Sequence, residues 1–172
     1  MRWYNVLAYA LLSGNLTSLA AAQTPILYGF DGNAAFAVRG SVEGAVARLR
    51  DATCQEVFGE FSDRANRPLL TVLASKGMTA QDAFGLLRFV EARDTPPCHA
   101  GSTLAFTQPG APMIRICSLQ FRARFAQDRR SAEIVLIHEF LHALGLGENP
   151  PSSQEITERL TAKCGNRPRG PP

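Results

Sequence analysis

The sequence predicts an α+β fold in which a small, mainly antiparallel sheet packs on one long helix, with further helices at its flanks. Two observations carry this prediction. Apolar residues recur at helical spacing in segments near the start and the end of the chain. Between these segments lie short apolar runs separated by turns rich in proline and glycine, which is the pattern of strands.

The first 22 residues have the layout of a secretory signal peptide. Arg2 precedes an apolar run, and the segment ends in Ala20-Ala21-Ala22, an Ala-x-Ala cleavage signal. Gly14 interrupts the run, which is far shorter than the ~20 apolar residues that a membrane span needs. We therefore expect an exported chain without a membrane span, in which cleavage leaves 150 of the 172 residues as a single domain.

Three parts are predicted in the mature chain. Residues 23–40 contain Pro25 and several glycines without periodicity, and we interpret them as an extended lead-in. Residues 41–164 are expected to form the folded domain. Residues 165–172, "GNRPRGPP", are expected to be a disordered tail.

Four helices are predicted in the domain. The helical segments cover residues 42–59, 68–77, 127–146 and 152–163. Pro68 and Gly77 suit the first position and the end of the second helix. Ser152 is followed three residues later by Glu155, a capping box that opens the last helix.

Three short strands are predicted between the second and third helices, at residues 83–92, 102–107 and 113–117. The turn segments "TPPCHAG" and "QPGAP" separate them. Such closely spaced runs favour a meander that is antiparallel at least in part. Thr79 followed by Asp82 leaves open a helix over the first run instead of a strand.

The four cysteines all lie in the mature chain, and none belongs to a Cys-x-x-Cys pair. An even number of widely spaced cysteines in an exported chain indicates two disulfides. Of the three connectivities that are open, we favour Cys98 with Cys117 and Cys54 with Cys164. The first pair would tie the entry of one strand to the next strand but one, and the second would fix the last helix to the first.

The net charge of +3 is small, and the arginines gather only loosely, at residues 122–130 and 167–169. They are not interleaved with aromatic residues as in a nucleic-acid-binding stripe, so we expect no nucleic-acid partner. The pattern is typical of a solvated face, and we expect a monomer.

The segment "IVLIHEFLHALGLGENPPSSQEIT" contains two of the three histidines. His138 and His142 are four residues apart, so on a helix they project from one face about one turn apart. Two such imidazoles can bind one Zn²⁺ at ~2.0–2.1 Å each. Glu139 would lie beside the metal, where it can accept a proton from a water whose pKa zinc lowers from ~15.7 to about 7.

The opposite face of the same helix carries an apolar stripe. Its members are Ile134, Ile137, Leu141 and Leu144. We expect this stripe to pack on the sheet, which would leave the two histidines facing a cleft.

The longer pattern "HEFLHALGLGE" resembles the zincin metallopeptidases, and its spacing resembles their metzincin branch. This resemblance implies Zn²⁺ as the cofactor. It implies His138, His142 and Glu148 as the metal ligands and Glu139 as the general base. "CQEVFGEF", "LAFTQPG" and "GLGENPPSSQEIT" also resemble small bacterial exported proteins, which implies a minimal zincin-like domain and no particular substrate.

The third ligand has alternatives. Gly145 suits a sharp turn after the helix, and Glu148 follows it at a position that usually holds His, or Asp in some metzincins. Glu155 and Glu158 lie in the next helix, where the glutamate-liganded zincins keep their third ligand. These two residues stay open as ligands in place of Glu148.

The chain also departs from the metzincin pattern. It has no methionine after Met113 for the turn that lies beneath the metal, and we consider Ile156 as an apolar replacement. The only tyrosine of the mature chain is Tyr28, in the lead-in. His99 and Arg115 are therefore the candidates for stabilising the oxyanion.

These observations predict an exported zinc-dependent metallopeptidase, a hydrolase whose peptide or protein substrate lies extended along an edge strand near residues 104–107. An alternative is a non-catalytic zinc-binding interaction module on the same scaffold, which would have no need of the base Glu139. A third interpretation is a disulfide-stabilised structural domain without metal, in which His138 and His142 only pack in the helix.

Overall fold

The computed structural model describes residues 25–166, which form eight helices and one four-stranded sheet. In chain order these elements are β1 (Ile26–Tyr28), α1 (Gly32–Leu49), α2 (Ala52–Glu60), α3 (Leu69–Ser75), α4 (Ala80–Gly85), β2 (Arg88–Glu91), α5 (Pro96–His99), β3 (Ala105–Phe106), β4 (Met113–Ile116), α6 (Ser118–Gln127), α7 (Arg129–Ala143) and α8 (Ser153–Cys164). The α+β class is as predicted. The signal peptide expected at residues 1–22 and most of the expected tail lie outside the described residues.

The sheet has the strand order β1-β2-β4-β3. β1 pairs with β2 and β2 pairs with β4 in parallel, and only the edge strand β3 runs antiparallel to its neighbour, β4. The prediction of a mainly antiparallel sheet is therefore wrong. Four helices separate β1 from β2, and α5 with β3 separates β2 from β4, so the chain has room to cross over and enter each central strand in the same direction.

The extended lead-in predicted for residues 23–40 is also wrong beyond Asp31, because α1 begins at Gly32. Asp31 is the N-cap of this helix, and its carboxylate accepts a hydrogen bond of 2.8 Å from a backbone N–H in the first turn. Glycines obscured the helix in the sequence. Gly44 is needed for close packing, not for a turn, because a Cβ at this position would collide with the Glu133 carboxylate on α7.

Other helix boundaries differ from the predicted ones as well. The helix predicted over residues 42–59 is divided between α1 and α2 at Asp51, whose side chain caps α2 through the N–H of Thr53. Helix α6 was not predicted. Asp128 separates it from α7 by capping the start of α7 through the N–H of Ser131.

The apolar run predicted as a strand at residues 83–92 is divided between two elements, because residues 83–85 belong to α4 and the strand begins only after Leu87. Thr79 and Asp82 form a reciprocal capping box that opens α4, which was the alternative interpretation of this segment. Only residues 88–91 extend into β2. The strands predicted at 102–107 and 113–117 correspond to the shorter β3 and β4.

Helix α7 is the centre of the molecule and contacts α1, α6, α8, β3 and β4. The predicted apolar stripe is buried: Ile134, Ile137, Leu141 and Leu144. Leu136 and Phe140 are buried as well, and the Phe140 ring makes edge-to-face contacts with Phe58 and Phe84 at centroid distances of 5.7 and 5.3 Å. The helix is thus enclosed by other helices as well as by the sheet, and its histidines are buried polar groups.

Both predicted disulfides are present. Cys54–Cys164 joins α2 to α8, and Cys98–Cys117 joins α5 to the residue that precedes α6. Disulfides of this kind are typical of proteins that fold in an oxidising extracellular or periplasmic compartment. Among the described residues, no helix combines the length and the apolarity that crossing a membrane requires.

Candidate metal centre

The last two turns of α7 bring three chemically active side chains together. His138 and His142 lie one turn apart with ring centroids separated by 5.0 Å, and Glu139 lies next to them. All three residues are between 5% and 7% exposed. Because water has so little access, the polar atoms of these side chains depend on partners within the site.

The outer ring nitrogens of both histidines are held by the protein. His142 Nδ1 lies 2.9 Å from the carbonyl oxygen of Leu146 and donates to it, which leaves the Nε2 lone pair of the neutral ring unused. His138 Nδ1 lies 3.0 Å from the hydroxyl of Thr157 on α8. These contacts turn the two Nε2 atoms toward each other, at 3.1 Å.

Glu148 adds an oxygen to this pair of nitrogens. Gly145 ends the helix with φ +114°, and a Cβ there would lie 3.1 Å from the Cβ of Asp63, so both its conformation and its packing require glycine. The turn carries Glu148 back toward the histidines. Its Oε1 lies 3.4 Å from His142 Nε2 and 3.8 Å from His138 Nε2.

These three donor atoms have the spacing of metal ligands. Bonds of about 2.0–2.2 Å in a tetrahedral zinc site place two donors about 3.3–3.5 Å apart. A cation would also satisfy the two Nε2 atoms, whose lone pairs face each other when both neutral rings carry their proton on Nδ1. The group formed by His138, His142 and Glu148 can therefore hold a metal ion, and imidazole with carboxylate suits zinc as well as other divalent transition metals.

The two alternative ligands are engaged elsewhere. The Glu155 carboxylate pairs with Arg159 at 2.6 Å, and its backbone N–H donates to Ser152 Oγ in the cap of α8. The Glu158 carboxylate accepts a hydrogen bond of 2.8 Å from Gln154. Neither belongs to the donor cluster, whereas the Glu148 carboxylate lies with the two histidines.

Burial controls the charges in this site. The pKa of the Glu139 carboxyl is raised to about 8, mainly by burial and also by the nearby Glu148 carboxylate, while hydrogen bonding with Thr107 opposes the rise. Burial, together with a smaller effect of the neighbouring His142, lowers the pKa of His138 to about 4. A cation bound to the histidines would favour the ionised form of Glu139.

An open cleft of about 460 Å³ gives access to the donor cluster. Segment 103–109, which includes β3, forms one wall, and Arg64, Glu148 and Ser153 line it elsewhere. A second hollow of about 320 Å³ shares His138 and Glu139 with the cleft and continues beside β3. The Glu148 side chain is 43% exposed, so the cluster faces solvent on this side.

The residues considered for oxyanion stabilisation are not brought to this cleft. His99 is exposed at the end of α5, and Arg115 lies on β4 with its guanidinium 5.9 Å from the centroid of the Phe106 ring. Neither lines the cleft around the histidines. Ile156, considered as the apolar floor, is fully buried in the main core.

Sequence reasoning missed Arg64 and Thr107, which line the cleft, and Thr157, which contacts His138. Arg64 had a partial signal, because Asp63 and the following "RANRP" are typical of a turn that exposes its side chains. Nothing local connects that turn, or either threonine, to the histidines.

No match to this chain was found among protein-family models, curated proteins or solved structures. Its function is therefore inferred from the chemistry and the surroundings of His138, Glu139, His142 and Glu148.

Proposed function

We propose that this chain is an exported zinc-dependent metallopeptidase of the zincin kind, with His138, His142 and Glu148 as metal ligands and Glu139 as general base. The observation that carries the proposal is a buried carboxyl group beside a three-donor metal cluster at the wall of an open cleft. A purely structural metal site has no use for this carboxyl, because a buried carboxyl that binds no metal costs stability.

Zinc bound by these ligands would polarise the carbonyl of a peptide bond and favour the ionisation of water. Glu139 is adjacent to both histidines and outside the ligand set. It can accept the proton that the attacking water loses and deliver it to the leaving amine. A cation bound to the two histidines would favour the ionised form of Glu139, which is the form that can accept this proton.

The edge of the sheet supports a peptide as the substrate. Ala105 and Phe106 of β3 pair with β4 along one side only, and both residues line the cleft. The other side of an edge strand offers backbone N–H and C=O groups that can pair with an extended peptide. A peptide bound along β3 would pass beside His138 and Glu139.

The first test is the zinc content of the oxidised protein cut after Ala22. We expect about one zinc ion per chain when three protein ligands form a catalytic site. His142→Ala should lose the zinc, whereas His99→Ala, which removes the exposed histidine outside the cleft, should keep it. A wild-type protein that takes up no zinc after reconstitution would contradict the proposal.

The second test separates the peptidase from the non-catalytic alternative. Wild type and Glu139→Gln are incubated with a mixture of random peptides, and the products are identified by mass spectrometry. We expect cleavage by wild type only, with zinc bound equally by both proteins. Zinc binding without any cleavage would favour an interaction module, and cleavage by Glu139→Gln would remove Glu139 as the base.

Export is tested with the full chain expressed in a bacterium. The proposed signal peptide predicts that the mature protein begins at Gln23, which N-terminal sequencing of the exported fraction checks. Recovery of the uncleaved chain from the cytoplasm, with reduced cysteines, would contradict export.

A further inference from the structure

Arg64 is a cationic side chain in the cleft with no assigned role. It lies in the loop between α2 and α3, and it lines the cleft together with Glu139, Glu148 and residues of β3. Among residues 25–166, it is the only lysine or arginine that lines either hollow beside His138.

Hydrogen bonds hold this loop in shape. Asp63 Oδ1 accepts from the N–H groups of Ala65 and Arg67 at 2.9 Å each, and Asp63 Oδ2 accepts from the Arg67 guanidinium at 2.9 and 2.6 Å. This pattern is an Asx turn closed by an ion pair. The backbone of Arg64 is thus fixed before any ligand binds.

The same loop is fastened to the turn that carries Glu148. The Arg64 N–H donates to the carbonyl of Gly145 at 3.2 Å, and Asp63 forms an antiparallel bridge with Leu146. The Arg64 side chain runs along Gly147, since a Cβ at that glycine would lie 3.7 Å from both Arg64 Cγ and Nε. Arg64 and the ligand turn therefore form one assembly.

The guanidinium of Arg64 has no hydrogen bond or ion pair with any described residue. Other arginines of the chain do have such partners. Arg48 binds Glu133, Arg67 binds Asp63, and Arg159 binds Glu155. Arg64 is exposed, and an arginine fork in a cleft without a protein partner matches the two oxygens of a carboxylate.

We propose that Arg64 binds a substrate carboxylate next to the scissile bond, so that the cleft selects peptides that present a carboxylate at this position. This inference rests on the proposed peptidase function and assigns its substrate class. The carboxylate is that of an Asp or Glu side chain or that of a free C-terminus, and the two sources place the same chemical group at Arg64. The contact is a charge-assisted hydrogen bond at the edge of the site and needs no change in the role of Glu139.

The activity test compares matched peptides built on a sequence that wild type cleaves. In the first pair both peptides have an amidated C-terminus, and the residue beside the scissile bond is Glu in one and Gln in the other. In the second pair neither peptide has an acidic side chain, and the C-terminus is free in one and amidated in the other. In the pair that contains the carboxylate bound by Arg64, we expect kcat/KM for the uncharged peptide to be about 10- to 100-fold lower than for the peptide with the carboxylate. In Arg64→Ala the acid and amide members of that pair should be cleaved at similar rates, and Arg64→Lys should restore part of the difference.

Arg124→Ala is the matched control, because Arg124 is exposed on α6, does not line the cleft, and contributes the same charge. This variant should keep the full preference for the acid, which separates a local contact from the effect of net charge. Cleavage by wild type without any preference, or a preference that survives in Arg64→Ala, would overturn the role of Arg64 and leave the peptidase proposal intact.

A binding test needs neither zinc nor turnover. The Nε–H signal of Arg64, identified in a ¹⁵N spectrum by its loss in Arg64→Ala, is followed during titration with N-acetyl-glutamate N-methylamide or N-acetylalanine. The glutamine and alaninamide analogues are the controls. A shift with a carboxylate probe alone supports the inference even if no peptide is cleaved, and equal responses or no response to the paired probes would overturn it.

Discussion

The two imidazoles of the candidate centre are oriented by different kinds of partner. His142 Nδ1 donates to a main-chain carbonyl within its own helix end, whereas His138 Nδ1 contacts a hydroxyl that belongs to α8. The first contact is formed whenever α7 and its terminal turn fold. The second depends on the packing of α8 against α7. A single substitution on α8 can therefore remove the contact that orients the His138 ring.

Thr157→Val should therefore weaken zinc binding. The change removes the partner of His138 Nδ1 and keeps the size of the side chain, and losing such an outer hydrogen bond costs about 10- to 100-fold in metal affinity. A competition titration with a chelator measures the loss. Thr161→Val is the control, because its hydroxyl bonds only to the carbonyl of Thr157 on the same helix. Equal affinities of the two variants would contradict this role of Thr157.

Glu148→Gln should weaken zinc binding more than any other glutamate substitution near the site. The amide keeps the shape of the side chain but loses the charge that a carboxylate ligand contributes. Glu155→Gln and Glu158→Gln should bind zinc as wild type does, because their carboxylates contact Arg159 and Gln154 instead. Loss of zinc in either of these variants, with retention in Glu148→Gln, would move the third ligand to α8.

At this scale, sequence reasoning finds what is local. The spacing of His138 and His142 and the glycine that ends their helix are encoded within a few residues, so the donor cluster could be predicted. Arg64, Thr107 and Thr157 reach the site from other parts of the chain. Their proximity depends on how a loop, an edge strand and α8 pack around α7, and no local pattern expresses that packing.

At the scale of elements, a buried ion pair holds three helices together. Arg48 on α1 contacts Glu133 on α7 at 2.7 Å, and it also donates to the carbonyl oxygens of Cys164 and Asn166 at 2.6 Å each, beyond the last turn of α8. Both side chains of the pair are less than 10% exposed. One guanidinium thus satisfies a buried carboxylate and the C-terminal carbonyls of another helix.

Arg48→Ala should lower the free energy of unfolding by about 3–5 kcal/mol, because it leaves the Glu133 carboxylate buried without its main partner. Urea denaturation of the oxidised protein measures this loss. Arg50→Ala removes the same charge from an exposed position two residues away and should change stability by less than about 0.5 kcal/mol. A similar small effect in both variants would show that Glu133 finds other partners, such as Arg129.

The helices and strands were only partly predictable from the sequence, because some of their limits depend on contacts between distant parts of the chain. Helices with marked ends, such as α8 with Ser152 as its cap, match the sequence within a residue or two. Helix α1 was missed before residue 42 because Gly32 and Gly40 discourage a helix locally, whereas in the fold Gly40 packs closely against Phe125 of α6 and Arg129 of α7. The parallel pairing of β2 with β4 likewise depends on a crossover that the short runs of apolar residues do not specify.

At the scale of the whole molecule, the two disulfides enclose different parts of the fold. Cys54–Cys164 spans 110 residues and encloses most of the described domain, including α7. Cys98–Cys117 spans 19 residues and encloses only β3 and β4 with their turns. The first crosslink therefore restricts the unfolded chain as a whole, and the second restricts the segment that forms the wall of the cleft.

Removing the long crosslink should reduce stability more, and removing the short crosslink should reduce activity more. Chain entropy alone predicts a loss of about 5 kcal/mol for the long loop and about 3 kcal/mol for the short one. The double variant Cys54→Ala/Cys164→Ala should therefore unfold at a lower urea concentration than Cys98→Ala/Cys117→Ala. Peptide cleavage, which the peptidase proposal expects, should fall more in the second variant under conditions where both remain folded, because the segment that contains β3 then loses its covalent closure. A less stable Cys98→Ala/Cys117→Ala protein would mean that native packing around the short loop, and not the entropy of the unfolded chain, determines what each disulfide contributes.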